Sequence, residues 1–131
     1  MQIDAYNEDV YIIEYYVDSG YVADANGVNK DSYTGSLMAS YCDLISQGTV
    51  AGDAATLEGM PYSASQIRET IGASSTENII TVTINTPDAV LRERIAGVIK
   101  DTFAANTDKI AGNIGAHSIS VMNEYQITRV D

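Results

Sequence analysis

A chain of 131 residues, 45% of them hydrophobic, can fold as one domain with a genuine core, burying roughly two-thirds of the surface of its unfolded form. Eighteen acidic against seven basic side chains give a formal charge of −11, which repels phosphate backbones and anionic headgroups and excludes nucleic acid as a partner. The charge is lopsided: residues 1–60 hold ten acids and one base, Lys30, whereas residues 61–131 hold eight acids and six bases.

From Val10 to Val17 the run Val-Tyr-Ile-Ile-Glu-Tyr-Tyr-Val is β-branched and aromatic, which predicts a first strand. Asp18 to Lys30, with Ser19-Gly20 and Asn26-Gly27, reads as a loop or short irregular hairpin and as the most flexible part of the domain. Asp31 or Ser32 then caps a helix whose Leu37, Met38, Tyr41, Leu44 and Ile45 recur at three-to-four-residue spacing, and Gly48 stops it. Cys42, the only cysteine, falls on that apolar face, so no intrachain disulfide forms and the residue reads as a buried small hydrophobe.

Thr49 to Leu57 predicts a short second helix ended by Gly59 and Pro61. Ser63 followed by Gln66 fits a capping box for a third, Ser63 to Thr70, ending near Gly72. Ala73 to Thr76 reads as a brief strand, Glu77-Asn78 as a turn, and Ile79 to Ile84 as an alternating strand. In the next segment Thr86 makes an N-cap, Pro87 suits the first helical position and Asp88 complements the positive helix end. Val90, Leu91, Ile95, Val98, Ile99 and Phe103 form the expected buried stripe of a helix running to about Asn106 or Ile110. Ser118 to Tyr125 closes the chain as a strand. This order predicts one α+β domain over residues 1–131: a single mixed, largely antiparallel sheet of about four strands with helices packed on one face.

No catalytic constellation stands out. His117 is the only histidine and no Gly-x-Ser-x-Gly turn accompanies it, so it reads as a polar residue at a strand entrance. Carboxylates are plentiful, but a glycosidase pair is defined by separation in space, so the simpler reading is a solvated acidic face. Asp24-Ala25-Asn26-Gly27 fails as a calcium loop because Val22 and Tyr33 occupy its first and twelfth ligand positions. Neither a metal nor a cofactor is expected.

Two surfaces are candidates for binding. Tyr11, Tyr15, Tyr16 and Tyr21 cluster around the first strand and serve either as core and edge packing or as a platform for a sugar. Arg92, Arg94 and Lys100 lie on the long helix with Glu93 and Asp101 interspersed. They are either its wet face or a basic strip that meets the acidic first half of a neighbouring subunit in a head-to-tail oligomer.

The helix Ser36-Leu37-Met38-Ala39-Ser40-Tyr41-Cys42-Asp43-Leu44-Ile45-Ser46, the following Thr49-Val50, the strand Ile80-Thr81-Val82-Thr83-Ile84 with Thr86-Pro87-Asp88, and the terminal His117-Ser118-Ile119-Ser120-Val121 together carry a resemblance. From about Tyr11 to Tyr125 the chain resembles the extracytoplasmic domain of chain-length determinant proteins, the Wzz-type polysaccharide co-polymerases, in their short Gram-positive variety. The resemblance implies a non-enzymatic domain at the extracytoplasmic face of the plasma membrane that helps set capsule or exopolysaccharide chain length and export. It also implies a homo-oligomer beside polymerase or export machinery, and a tyrosine kinase reached through parts of the protein outside this segment. Such domains sit between two membrane spans. No window here approaches 18 apolar residues and Met1-Gln2-Ile3-Asp4 does not open a signal peptide, so the expectation is a soluble fragment cut from between those spans.

Overall fold

The computed structural model describes residues 10–18 and 30–127, with side chains from residue 34 onward in the second stretch. Tyr21, the Asp18–Lys30 connection beyond Asp18, and the Asp31 and Ser32 side chains expected to cap the first helix therefore lie outside the described residues. The elements run β1 (Val10–Asp18), α1 (Lys30–Ser46), α2 (Thr49–Ala55), α3 (Ala64–Arg68), β2 (Ile71–Thr76), β3 (Ile79–Asn85), α4 (Ala89–Asn113) and β4 (Ser118–Ile127). With α1 already running at Lys30, Asp31 and Ser32 fall inside the helix rather than at its cap.

The four strands form one sheet in the order β2-β3-β1-β4, and each neighbouring pair is antiparallel. The parallel component of the expected mixed sheet is not found between neighbours. The crossover from β1 through α1–α3 returns β2 parallel to β1, but β3 inserts between them, and β1 likewise separates β3 from β4. Two interleaved β-α-β units of this kind make the ferredoxin-like arrangement.

Strand periodicity divides the sheet into two faces. Ile13, Tyr15, Val17, Ile80, Val82 and Ile84 point to one side and are buried under the helices. Leu37, Met38, Tyr41 and Ile45 of α1 and Leu91, Ile95, Val98, Ile99 and Phe103 of α4 complete that core. The alternate positions, among them Glu14, Tyr16, Thr81 and Thr83, face away from it and are intermediate or exposed. Helices on one face is thus the arrangement found.

Local chemistry sets the boundaries. Gly48 takes a left-handed conformation (φ 87°), which glycine adopts without a side-chain clash, and turns the chain from α1 into α2. The Arg68 guanidinium donates from Nε (2.9 Å) and Nη2 (2.5 Å) to the carbonyl of Ser46, the last residue of α1, and so ties α3 to that helix end. Ser63 and Gln66 form the expected capping box, with Gln66 N–H donating to Ser63 Oγ at 3.2 Å and Ser63 N–H to Gln66 Oε1 at 2.9 Å. The helix it starts is short, and β2 begins at Ile71 rather than Ala73 because Ile71 pairs with Ile84 and Gly72 with Thr83. Glu77-Asn78 makes the predicted turn, locked by Asn78 Nδ2 donating to the Val17 carbonyl at 3.0 Å.

The start of α4 corrects two expectations. Asp88, not Thr86, is the N-cap: its Oδ1 accepts from Leu91 N–H at 3.0 Å, while Thr86 is buried with its Oγ1 accepting from Asp88 N–H at 3.4 Å. Pro87 consequently precedes the cap instead of opening the helix. Val90, assigned to the buried stripe, is 67% exposed. At about 100° per residue Val90 points away from the stripe centred on Leu91, Ile95, Ile99 and Thr102, so it faces solvent while that stripe covers the sheet. The helix also runs past Ile110, itself buried, to Asn113.

Candidate functional site

The sequence placed four tyrosines together, but the fold separates those it describes. Positions 11 and 15 share a parity and face the helices, whereas position 16 faces the open side. Tyr15 is 4% exposed and stacks against Phe103, ring centroids 4.9 Å apart, while Tyr16 is 42% exposed. No single platform of Tyr11, Tyr15 and Tyr16 exists. The open face carries Tyr16 and, four residues further along the sheet opposite Ile12, Tyr125 of β4, 41% exposed, which the sequence reading left out.

The basic strip is divided as well. Arg92 is buried rather than on a wet face: Nη1 donates to the Thr86 carbonyl at 2.6 Å and Nε to Gln126 Oε1 at 3.1 Å. Those bonds hold the start of α4 to the end of β4. Arg94 donates from Nη2 to the Glu58 carbonyl at 2.8 Å. Lys100, with a side chain 41% exposed, pairs with Glu124, Nζ lying 2.7 Å from Oε1 and 2.9 Å from Oε2. Each base has a partner within the chain, and the three do not act as one strip.

Glu124 is the hub of the polar network, and sequence reasoning missed it. It lies opposite Ile13 on β1, so it faces the helices, and it accepts the Tyr11 hydroxyl as well as the Lys100 ammonium. The hydrogen bond from Lys100, then that from Tyr11, lowers its pKa below the ordinary carboxylate value. Burial first, then the bond to Glu124, pushes the Tyr11 phenol up to about 12. A charged residue on an otherwise alternating edge strand was the available signal.

Beside this network lies a groove of about 490 Å³ between α4 and β4. Phe103 and Ala104 of α4 and Ile119 and Val121 of β4 supply apolar walls, with Lys100 towards one end and Thr107 and His117 towards the other. His117 Nδ1–H donates to the Gly115 carbonyl at 2.9 Å, and its Nε2 lies 2.5 Å from the Tyr41 hydroxyl. The Tyr41 hydroxyl is also 3.2 Å from Thr107 Oγ1, which donates to the Phe103 carbonyl at 2.9 Å. The expected polar residue at the entrance of β4 is therefore a clasp joining α1, α4 and β4. Tyr15 also lines the groove, and its buried hydroxyl has no hydrogen-bond partner among the described residues.

A second crevice, about 450 Å³, runs between α1 and β2 and is lined by Cys42, Ile45, Arg68 and Ile71, among others. Cys42 is half-buried rather than fully enclosed, and burial, the largest influence on it, raises its thiol pKa and disfavours the thiolate. Among the described residues no group of three or more His, Cys, Asp or Glu side chains could hold a metal ion, and no helix is long and apolar enough to cross a membrane.

No protein-family model matches the sequence, and no curated protein does. Among solved structures, an amidase of the hydantoinase/carbamoylase family from Burkholderia multivorans is similar over 92% of this chain and 28% of its own length, at 15% identity and a TM-score of 0.39. A likeness that weak carries no inference about activity.

Proposed function

We propose that this is a non-enzymatic extracytoplasmic domain of a chain-length determinant protein, acting as a homo-oligomer beside the machinery that polymerises or exports a cell-envelope polysaccharide. One geometric observation carries the reading: Val10 of β1 lies opposite Ile127 of β4. The described fold therefore begins and ends side by side at one end of the sheet. A domain held between two membrane spans needs its two ends to leave in that way. The element order and the proline-aspartate cap at Asp88 support the same reading. Because Arg92, Arg94 and Lys100 are engaged within the chain, an oligomer draws on other surfaces.

The test is the parent reading frame, translated on both sides of this segment. Spans of about 20 apolar residues on both flanks sustain the proposal. A reading frame without them ends it.

A further inference from the structure

The two outer edges of the sheet suit one another, and we infer that β4 of one copy pairs antiparallel with β2 of the next, joining copies of this chain head to tail. This contact rests on the oligomer reading above and gives it a surface. Among the described residues β2 and β4 are the outer strands, each with a neighbour on one side only. An outer strand presents a row of N–H and C=O groups that can template another strand. Neither strand contains the lysine or proline that commonly blunts such an edge. β2 has no charged residue, and the one charge of β4, Glu124, is held by Lys100. Two such edges meet without like-charge repulsion although the chain carries −11.

Each edge is undercut on the helix side. The crevice between α1 and β2 is lined by the consecutive residues Ile71, Gly72 and Ala73, and the groove between α4 and β4 by Ser118 to Val121. Successive strand residues face opposite sides, so a hollow lined by every residue of a run reaches the rim of the strand. Joined rim to rim, the two hollows become one chamber between α4 of one copy and α1 of the next. Val121, 43% exposed, points into it, because it lies opposite the buried Tyr15. Ile71 and Ala73 face the same side, opposite the buried Ile84 and Val82. Of the five large hydrophobic residues exposed among the described residues, Val121, Met122 and Tyr125 lie on β4 and Tyr16 beside it on β1. The contact therefore covers apolar surface that a single copy leaves wet.

Strand direction selects this contact over a symmetric one. Neighbouring strands alternate in direction across the sheet, so β2 and β4 run oppositely. A second copy in the same orientation brings its β2 antiparallel to β4, repeating the ladder already used throughout the sheet. The Val10 and Ile127 ends of every copy then stay at one end, as anchoring in a single membrane requires. Pairing β4 with a second β4 would send those ends to opposite ends of the joined sheet and leave the β2 crevice unfilled. A repeated head-to-tail contact closes into a ring or grows as a filament. The six residues of β2 span about 20 Å, and a strand layer plus a helix layer is about 20 Å deep, giving about 800 Å² over the two copies. That area is below the standard size for a stable complex, so the contact is weak between free chains and gains from the effective concentration that a shared membrane supplies.

The experiment is disulfide trapping of the 131-residue chain at about 1 mM, near the Kd expected of so small a contact. Cys42→Ser removes the native thiol, and single cysteines then replace Ser74 or Thr76 on β2 and Ser120 or Asn123 on β4. All four positions are exposed on the open side, where facing residues of paired strands come within disulfide reach. Mixed under mild oxidation, at least one β2–β4 pair of variants is expected to form crosslinked dimer about tenfold faster than either variant alone, because pairing raises the local thiol concentration. Val121→Lys in the β4 partner should abolish that excess while the folded spectrum is kept. Equal rates in every mixture, or an excess that survives Val121→Lys, overturns the contact. Fastest crosslinking of a β4 variant with itself overturns it in favour of two-fold pairing. Flanking spans in the parent without excess crosslinking would remove this contact and leave the chain-length reading to another surface. Excess crosslinking without flanking spans would keep the contact and end that reading.

Discussion

On the helix-covered face of the sheet, Ile13, Val17, Ile80, Val82 and Ile84 are sealed from solvent, whereas on the open face Glu14, Tyr16, Thr81, Thr83 and Tyr125 stay partly or largely wet. The same strands supply both sets at alternate positions, so strand propensity cannot account for the difference. What differs is the partner. The covered side meets α1 and α4, and removal of apolar area from water stabilises it. The open side meets solvent, and substitutions there are free to serve contacts outside the domain.

Substitution on the two faces should separate them sharply. Phe103 touches both Tyr15 and Tyr41, with ring centroids 4.9 and 5.3 Å away, so Phe103→Ala is expected to cost about 3–5 kcal/mol in denaturant unfolding. Removing the cap with Asp88→Ala strips the Leu91 N–H of its acceptor and releases Tyr62, an expected loss of about 1 kcal/mol. On the open face, Tyr16→Ala or Thr83→Ala should change stability by about 0.5 kcal/mol or less. If the open-face changes match the core change, the face is covered in solution and the comparison fails.

The polar cluster on the β4 side sharpens the contrast through pH. Glu124 has its pKa lowered, so its stabilisation is complete above the ordinary carboxylate value of 4.5 and is lost as pH falls through the lowered value. Tyr11 is raised from 10 to about 12, so its stabilisation is complete below 10 and is lost as pH rises through 12. Glu124→Gln should flatten the acid limb of a plot of Tm against pH, and Tyr11→Phe the alkaline limb. Unchanged limbs in both variants would show that the cluster does not persist in solution.

Much of this architecture was legible because its signals are local. The capping box at Ser63 and Gln66 needs only four residues, and the alternation Ile80, Val82, Ile84 declares a buried face by itself. The errors arose where two local signals compete or where a long-range partner decides. Thr86-Pro87-Asp88 holds two residues able to cap, and the structure uses Asp88, while Val90 is apolar but sits on the helix face away from the Leu91, Ile95 and Ile99 stripe. Arg92 looked like a surface base because its side-chain acceptor, Gln126, lies 34 residues away on β4. Parity within β1 already assigned Tyr15 and Tyr16 to opposite faces. The groove beside Glu124 and His117 was not legible, since it joins α4 to an edge strand whose register is a property of the whole sheet.

The most direct test of the central claim is the length distribution of the surface polysaccharide in the source organism, resolved by gel electrophoresis with and without an in-frame deletion of residues 10–127 from the parent gene. A domain that sets chain length predicts that the modal length is lost and the distribution broadens or shifts, with full-length complementation restoring it. An unchanged distribution, with the truncated protein present at normal levels, would contradict the account.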